Sequence, residues 1–366
     1  MTGLLPEGFH DRLPPAADAV ARFEGRVLSV ARSYGYEQVD PPLAEYEDAL
    51  GRRLKAARAQ DAVRFVDPVS QRTLAIRPDM TAQVGRIAAT RMGHHPRPVR
   101  LCYAGPVLRL RAADLDQRRA LRQIGAELIG LDSVAAVREV VTVALEALAA
   151  AGLSDVSVDF TLPDLLDALA GDTLAPEQLT ALREALDGKD ASAVAAIDPA
   201  YLPLIQAAGP FDQALAGLRA SDVAGTLRTR LDGLEAIAEA IRGRAALTLD
   251  PTERHGFEYQ SWVGFSLFAR DLRAQIGRGG AYAVVGEDGR AEPAVGFSLY
   301  ADVLLDAGIG ADARRRLFLP FGTPVASGAA LRAEGWVTVA ALTADDTPEA
   351  QLCTHRLGSE GPVALG

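Results

Sequence analysis

Two runs of strand-like sequence, residues 99–110 and 120–130, constrain the fold of this chain more than any other feature. The first run is rich in Val, Leu and Tyr, which favour strands, and a short charged segment joins it to the second. Side chains alternate between the two faces of a strand. One face of the second run therefore carries Arg119, Leu121, Gln123, Gly125 and Glu127. We expect a pair of strands with a row of polar side chains on one face.

The polar row allows two interpretations. Gln123 and Glu127 are roughly 13 Å apart along the strand, at about 3.3 Å per residue. The row is either a solvated face of the sheet or the floor of a polar binding site. Antiparallel sheets often leave one face in water, so the pattern alone favours the solvated face.

Composition counts against several classes of protein. The chain has 366 residues and 49% apolar content, which suits one main domain with smaller attachments. Its net charge is −10, whereas a protein that grips nucleic acid through phosphates is usually basic. Lys55 and Lys189 are the two lysines, and neither lies in a glycine-rich loop. The chain therefore has almost no candidate for a lysine that forms a Schiff base or that binds phosphate in a Walker-type loop.

The cysteines and the N-terminus indicate a cytoplasmic protein. Cys102 and Cys353 have no metal-type spacing and are expected to be buried thiols in a reducing compartment. The first residues lack the apolar run of a signal peptide. No uninterrupted apolar stretch reaches about 18 residues, so we expect no membrane partner.

The order of elements predicts an α+β fold with two domains, residues 1–310 and 311–366. The predicted helices and strands of the first domain are a helix at 16–34, a hairpin at 63–77, a helix at 81–92, the central strand pair, a helix at 134–150, and strands at 156–160, 246–249, 259–269, 281–285 and 294–300. A glycine cluster at 277–280 is expected to precede the strand at 281–285. Residues about 162–243 read as a helical insertion, and 311–366 as a small α/β unit.

Few residues outside the central pair carry recognisable chemistry. There is no nucleophile elbow, no H-E-x-x-H and no paired-cysteine pattern, so we expect neither a metal site nor a cofactor. The remaining candidates are the polar row, the loop at 77–81 and the strand containing Glu258 and Tyr259. Carboxylates pair with an ammonium group, while amides and phenols bind a polar side chain. These residue types suit a zwitterionic small molecule.

Over residues 1–310 the chain resembles histidyl-tRNA synthetases. The motifs that carry the resemblance are, in order, Gly-Tyr-x-x-Val-x-Pro-Pro, Arg-Pro-Asp-x-Thr-Ala, Tyr-x-Gly-Pro-Val-x-Arg, Arg-Gln-Ile-Gly-Ala-Glu, Gly-Phe-Glu-Tyr, Gly-Gly-x-Tyr and Pro-Ala-Val-Gly-Phe. The resemblance implies a class II aminoacyl-tRNA synthetase-like core, a mainly antiparallel sheet flanked by helices, with the central pair as motif 2. It also implies a homodimer through motif 1 around Pro41-Pro42, and it reverses the preference for a solvated face.

The same resemblance implies a histidine-binding site. Its residues would be Asp79, Thr81, Arg109, Gln123, Glu127 and Tyr259. Within that set, Asp79 and Thr81 match the positions near the amino group, and Arg109 matches the arginine that holds the α-phosphate. Asp79 is one methylene shorter than the family's Glu, and Gln260 replaces a second tyrosine.

The positions that handle ATP depart from the family. Arg111 stands where Glu is expected and Ala112 where Arg is expected, while Ala281 and Val303 replace two further arginines. His255 occupies another arginine position, and Arg254 lies one residue too early. Cations at such positions stabilise the charge that develops on phosphate, so we expect no catalytic residue and no activation of histidine by ATP.

A synthetase-like chain that keeps the histidine site but lacks the residues for activating histidine with ATP resembles the regulatory subunits of ATP phosphoribosyltransferase. That resemblance implies a non-catalytic partner of the short-form catalytic subunit in the first step of histidine biosynthesis, with histidine as effector. It further implies a homodimer within a hetero-oligomer and no binding of tRNA. Two alternatives stay open: a divergent but active histidyl-tRNA synthetase, and a synthetase-like histidine sensor with another partner.

Overall fold

The computed structural model describes residues 4–51, 61–111, 117–171, 173–254, 260–269, 272, 275–286, 289–306 and 315–365. The chain divides into two compact units, Met1–Gly310 and Ala311–Gly366. Among the helices in the described ranges, none is long and apolar enough to cross a membrane.

The first unit is built on a large mixed sheet. The strands of this unit are β1 (Glu37–Gln38), β2 (Ala44–Tyr46), β3 (Val63–Val66), β4 (Thr73–Ile76), β5 (Val99–Leu108), β6 (Ala120–Ile129), β7 (Val156–Thr161), β8 (Gly209–Pro210), β9 (Ala246–Leu249), β10 (Gln260–Ala269), β11 (Gln275–Val285) and β12 (Ala291–Tyr300). Nine of them form one sheet in the order β1-β5-β6-β12-β11-β10-β7-β9-β8, and β2-β4-β3 form a second. Two pairs of the large sheet are parallel, β1 with β5 and β7 with β9; the others are antiparallel.

Helices cover both faces of the large sheet. The helices of the first unit are α1 (Ala16–Ser33), α2 (Glu47–Gly51), α3 (Thr81–Thr90), α4 (Val134–Ala150), α5 (Leu165–Ala170), α6 (Pro176–Asp187), α7 (Ala191–Ile197), α8 (Leu202–Gln206), α9 (Phe211–Ser221), α10 (Arg228–Ile241) and α11 (Ala301–Asp306). Ile124, Ala126 and Leu128 of β6 share the largest core cluster with apolar residues of α1 and α4. On the other face, Tyr103 and Leu121 cluster with Met80 and with α3. The mainly antiparallel sheet flanked by helices that the resemblance implies is confirmed.

The predicted central pair is present as β5 and β6, which pair antiparallel from Val99–Ile129 to Leu108–Ala120. The helix predicted at 134–150 is present as α4, and Ser133 Oγ caps it by accepting a hydrogen bond from the Ala136 N–H at 3.1 Å. The interpretation of the polar row as a solvated face is wrong. Gln123 is 0% and Glu127 1% exposed, since α3 and the loop before it cover this face.

The glycine cluster departs from its predicted place. Residues 277–280 lie inside β11, which begins at Gln275, and do not precede the strand. A Cβ at Gly279 would lie 2.3 Å from Phe265 Cζ and 2.4 Å from the Gly296 carbonyl oxygen. Glycine therefore serves here to let neighbouring strands and their side chains approach closely.

The predicted helical insertion contains α5 to α10, and its short strand β8 pairs with β9 of the large sheet. The second unit contains strands β13 (Arg316–Leu319), β14 (Val337–Ala340), β15 (His355–Gly358) and β16 (Gly361–Ala364) and helix α12 (Val325–Ala333). Its sheet has the order β14-β13-β15-β16. Sequence reasoning missed the hairpin of β15 and β16, because each strand has four residues and little alternation.

Candidate ligand-binding site

A buried carboxyl group, that of Glu127 on β6, lies at the centre of the candidate site. Tyr103 Oη donates to Glu127 Oε1 at 2.9 Å, and Tyr282 Oη donates to Oε2 at 2.8 Å. The pKa of Glu127 is raised to about 8, chiefly by burial and in smaller part by the charge of Asp79, although the hydrogen bonds from Tyr282 and Tyr103 act to lower it. At neutral pH the Glu127 carboxyl therefore keeps its proton.

Tyr103 connects the carboxyl group to neighbouring hydroxyls. Its Oη lies 3.3 Å from Thr81 Oγ1 and 3.2 Å from Ser298 Oγ. Burial, together with the charge of Glu127, raises the pKa of Tyr103 well above its ordinary value. The phenol is therefore neutral and available as a donor, and it links β5 to β12 and to the start of α3.

Glycines make room for these side chains on the neighbouring strands. Gly296 pairs with Glu127, and a Cβ at Gly296 would lie 1.6 Å from Glu127 Oε2. Gly125 pairs with Tyr103, and a Cβ there would lie 2.4 Å from Tyr103 Oη. No other residue type leaves space for the carboxyl and the phenol at these positions.

Gln123 holds the loop that leads into α3. Its Oε1 accepts from the Met80 N–H at 2.9 Å, and its Nε2 donates to Ser298 Oγ at 2.8 Å. In the same loop, the Thr81 N–H donates to Asp79 Oδ1 at 2.8 Å, and Asp79 is buried. Gln123 thus sets the position of Asp79 and Thr81 relative to Glu127.

Arg77 holds the other end of this loop. Its side chain is buried, its Nε donates to the Pro106 carbonyl oxygen at 2.8 Å, and its Nη1 donates to the Pro41 carbonyl oxygen at 2.6 Å. Burial lowers the pKa of Arg77. A Cβ at Gly105 would lie 2.4 Å from Arg77 Nη2, so the loop packs directly on β5.

The positions that would bind nucleotide contain different chemistry. The Arg109 guanidinium carbon lies 5.4 Å from the centre of the Tyr300 ring. Val303 packs against the largest core cluster. Asp302, the residue before Val303, has a buried carboxylate that accepts from Arg12 Nε at 3.0 Å and from the Arg122 backbone N–H at 2.7 Å.

The nearby guanidinium groups are engaged with carboxylates of the chain itself. Arg12 pairs with Asp302, and Arg122 pairs with Glu24 through Nε at 2.5 Å. Ala281, at a further arginine position, is part of the apolar core. The predicted changes at Ala112 and His255 lie outside the described residues.

The structure brings together four of the six predicted site residues: Asp79, Thr81, Gln123 and Glu127. Gly105 is the strand partner of Gln123, and Arg109 lies four residues further along β5. Arg109 is therefore about 13 Å along the strand from the position opposite Gln123. Tyr259 lies outside the described residues. In the described ranges, no group of three or more His, Cys, Asp or Glu side chains could hold a metal ion.

Sequence reasoning missed three polar residues of the site, Tyr103, Ser298 and Tyr282. Tyr103 could have been found from strand alternation, because it lies on the same face of its strand as Arg109 and pairs with Gly125. Tyr282 stands in the Gly-Gly-x-Tyr motif. Ser298 had no local signal, since its role depends on the pairing of β12 with β6.

Comparison with known proteins identifies the family. The model of the histidyl-tRNA synthetase family matches residues 8–304. ATP phosphoribosyltransferase regulatory subunits of Paramagnetospirillum magneticum and Rhodospirillum centenum are 44% and 45% identical, covering 99% and 96% of this chain and 98% and 94% of theirs. A solved ATP phosphoribosyltransferase regulatory subunit/histidyl-tRNA synthetase from Bacillus halodurans has the same fold, with a TM-score of 0.81, 22% identity and 96% coverage of both chains. The chain therefore belongs to the family of ATP phosphoribosyltransferase regulatory subunits, within the wider histidyl-tRNA synthetase family.

Proposed function

We propose that this chain is the non-catalytic, histidine-sensing subunit of an ATP phosphoribosyltransferase. It assembles with a short-form catalytic subunit in the cytoplasm and transmits feedback inhibition by histidine in the first step of histidine biosynthesis. One observation carries the proposal: the buried Glu127 carboxyl, held by Tyr103 and Tyr282, lies beside Asp79 and Thr81, whereas the apolar Ala281 and Val303 stand at positions where the resemblance implies arginine.

Two different carboxyl groups support histidine as the ligand. Asp79 and Thr81 are suited to the α-ammonium group, because a carboxylate and a hydroxyl both accept from it. Glu127 keeps its proton at neutral pH, since burial raises its pKa to about 8. A protonated carboxyl binds a neutral polar group, such as the imidazole ring, better than it binds a cation. The site thus offers one end to the amino group and the other to the side chain.

The chemistry of the nucleotide positions supports a subunit without activation of its ligand. Phosphoryl and adenylate chemistry depends on cations placed against the developing charge. Val303 contributes apolar packing instead, and Asp302 adds a buried negative charge beside it. Arg109 remains, but it faces the Tyr300 ring. The net charge of −10 also supports a protein that does not bind tRNA.

The loop before α3 offers a route from ligand to partner. Histidine contacts Asp79 in the loop and Thr81 at the first position of α3, and the ion pair of Arg86 with Glu45 joins α3 to β2. A ligand changes the partner's activity only through different affinity for two conformations. We place that difference in the position of this loop. The homodimer forms through the segment at Pro41-Pro42, and Arg77 Nη1 donates a hydrogen bond to the Pro41 carbonyl oxygen.

The test is reconstitution with the short-form catalytic subunit. We expect a complex, phosphoribosyl-ATP synthesis that depends on this chain, and inhibition by histidine. Glu127→Ala should assemble normally but lose the response to histidine. Glu146→Ala is the matched control, because it removes a carboxylate on α4 that pairs with Arg244. This variant should keep the response to histidine.

Two results would contradict the proposal. If no complex forms and synthesis is unchanged by this chain, the subunit role fails. If the isolated chain catalyses histidine-dependent ATP–pyrophosphate exchange above background, it is an active synthetase.

A further inference from the structure

Lys189, in the helical insertion, lies in a backbone conformation that usually belongs to glycine. The Asp190 N–H donates to the Ala185 carbonyl oxygen at 2.8 Å, and the Lys189 N–H donates to that of Leu186 at 3.1 Å. These two bonds form a Schellman cap at the end of α6, in which the residue at the place of Lys189 is usually glycine. Lys189 has a φ of 55°, a left-handed conformation that disfavours any residue with a Cβ. Strain of this kind points to a task for the lysine side chain.

The Lys189 side chain reaches out of the insertion to the turn at 250–254, which follows β9. Its Nζ donates to Asp250 Oδ1 and to Thr252 Oγ1, both at 2.5 Å. Thr252 is buried and Lys189 is half-buried, so solvent screens this contact only in part. The ammonium group therefore joins the corner between α6 and α7 to the turn.

Four half-buried carboxylates surround this ammonium group. They belong to three elements: Asp159 to β7, Asp187 to the end of α6, and Asp250 and Glu253 to the turn. Burial, followed by the charges of Asp159 and Asp250, raises the pKa of Glu253, whereas the Lys189 charge opposes the rise. Burial also raises the pKa of Asp159, and Lys189 opposes it there too. Without the lysine, these like charges would repel one another at close range.

The turn is anchored on two parts of the first unit. The Asp250 N–H donates to the Phe160 carbonyl oxygen of β7 at 2.9 Å. Arg254, the other cation of the turn, donates its backbone N–H to Asp187 Oδ1 of α6 at 2.7 Å. The position of the turn therefore depends on both the large sheet and the insertion.

The strand that follows the turn borders the candidate site. β10 begins at Gln260, six positions after Arg254. Gln260 pairs with Tyr282 of β11, and the Tyr282 hydroxyl donates to Glu127 at 2.8 Å. A displacement of the turn thus reaches the strand pair that holds the Glu127 carboxyl.

We propose that Lys189 is a positioning residue for the histidine site: it neutralises the carboxylates around the turn at 250–254, and the turn fixes the start of β10 beside that site. This rests on the proposed function and adds a means by which the helical insertion acts on the site. Coupling between two binding events is reciprocal. A partner that displaces α6 therefore changes the affinity for histidine through the same contact.

The test measures L-histidine affinity of the full chain by titration calorimetry at pH 7 and pH 5. Lys189→Met keeps the length of the side chain but removes its charge, and it should weaken histidine binding about tenfold at pH 7. At pH 5 the loss relative to the wild type should shrink to about threefold, because Glu253 and Asp159 take up protons and repel less. Lys189→Arg keeps the cation and should stay within about threefold of the wild type.

Arg219→Met is the matched control. The Arg219 side chain is 37% exposed against 35% for Lys189, and its ion pairs with Asp232 and Glu235 stay inside the insertion. This variant also replaces a cation of the insertion by methionine, but its carboxylate partners do not reach the turn. It should bind histidine like the wild type at both pH values.

The outcomes separate this inference from the proposed function. If Lys189→Met binds histidine like the wild type, or loses the same factor at both pH values, the role of Lys189 is overturned while the histidine site stands. If Lys189→Met does not fold in a thermal melt, the double variant Lys189→Met/Glu253→Gln decides. It lacks one of the neutralised carboxylates and should bind within about threefold of the wild type, so a tenfold loss there would overturn the inference. If the wild type binds no histidine, both the site and this role of Lys189 fail.

Discussion

Two regions of the large sheet, one around Glu127 and one around Arg109, differ in the chemistry of their side chains. Around Glu127, polar side chains are bonded to one another and lie opposite glycines. Arg109 lies beside the Tyr300 ring, while α11, which follows that ring, carries the ion-paired Asp302 and the apolar Val303. Recognition of a small molecule needs a few buried groups in fixed positions, whereas activation also needs cations at the phosphates. The comparison shows that one sheet carries linked buried polar groups in one region and an aromatic ring beside the guanidinium in the other.

The largest expected effect is that of Glu127→Ala on the recognition region. Removing a buried, hydrogen-bonded carboxyl should weaken histidine binding by about 1.5–3 kcal/mol, at least tenfold. Calorimetry measures the change, and Glu146→Ala on α4 should leave the affinity unchanged. If Glu127→Ala and the wild type bind histidine with equal affinity, Glu127 is not part of the histidine site, and the contrast between the two regions fails.

Gly296→Ala tests the glycine floor. The new Cβ would overlap Glu127 Oε2, so the carboxyl must move. We expect a loss of about 1–3 kcal/mol in the free energy of unfolding, measured by urea denaturation, together with weaker histidine binding. Gly25→Ala is the control, because nothing lies within 4 Å of a Cβ there and alanine favours a helix. A Gly296→Ala protein with wild-type stability and affinity would refute the close fit.

The pH dependence of binding sharpens the role of Glu127. Its pKa of about 8 means that the proton is lost as the pH rises past that value. From pH 7 to 8.5 the protonated fraction falls about fourfold, and histidine affinity should fall with it. Glu127→Gln keeps a donor that does not ionise and should lack this fall. An affinity that rises over this range in the wild type would contradict the protonated form.

The same shift affects stability. The pKa of Glu127 is raised above the value of 4.5 for an unperturbed carboxyl, so the folded state binds the proton more tightly than the unfolded state. This contribution is complete below about pH 4.5 and is lost as the pH rises towards 8. Urea denaturation at pH 5 and pH 8 should show a smaller decline for Glu127→Gln than for the wild type.

The smallest expected effect is that of Arg109→Ala in the nucleotide region. Its guanidinium faces the Tyr300 ring, an interaction of about 0.5–1 kcal/mol at a partly exposed site. Histidine affinity should change less than about threefold, by calorimetry. A loss as large as that of Glu127→Ala would show that the nucleotide region still contributes to ligand binding.

Much of the fold followed from local patterns, and the limits of prediction are physical. Alternation along β6 placed Gln123 and Glu127 on one face, and Ser133 marked the start of α4. The same alternation did not reveal whether that face was exposed to solvent. The face is covered by α3 and the loop before it, which come from another part of the chain. The glycine cluster at 277–280 was expected to precede a strand but lies inside β11, because strands use glycine for close approach as turns use it for positive φ.

The sequence by itself determined the order of strands and helices, the family, and four residues that meet at one site. Only the tertiary structure decided how those residues act. Glu127 acquires its raised pKa from burial, and its carboxyl lies over Gly296 of β12 and accepts a hydrogen bond from Tyr282 of β11. Both properties arise from the pairing of β6, β12, β11 and β10. Such contacts join residues far apart in the chain, so no local pattern contains them.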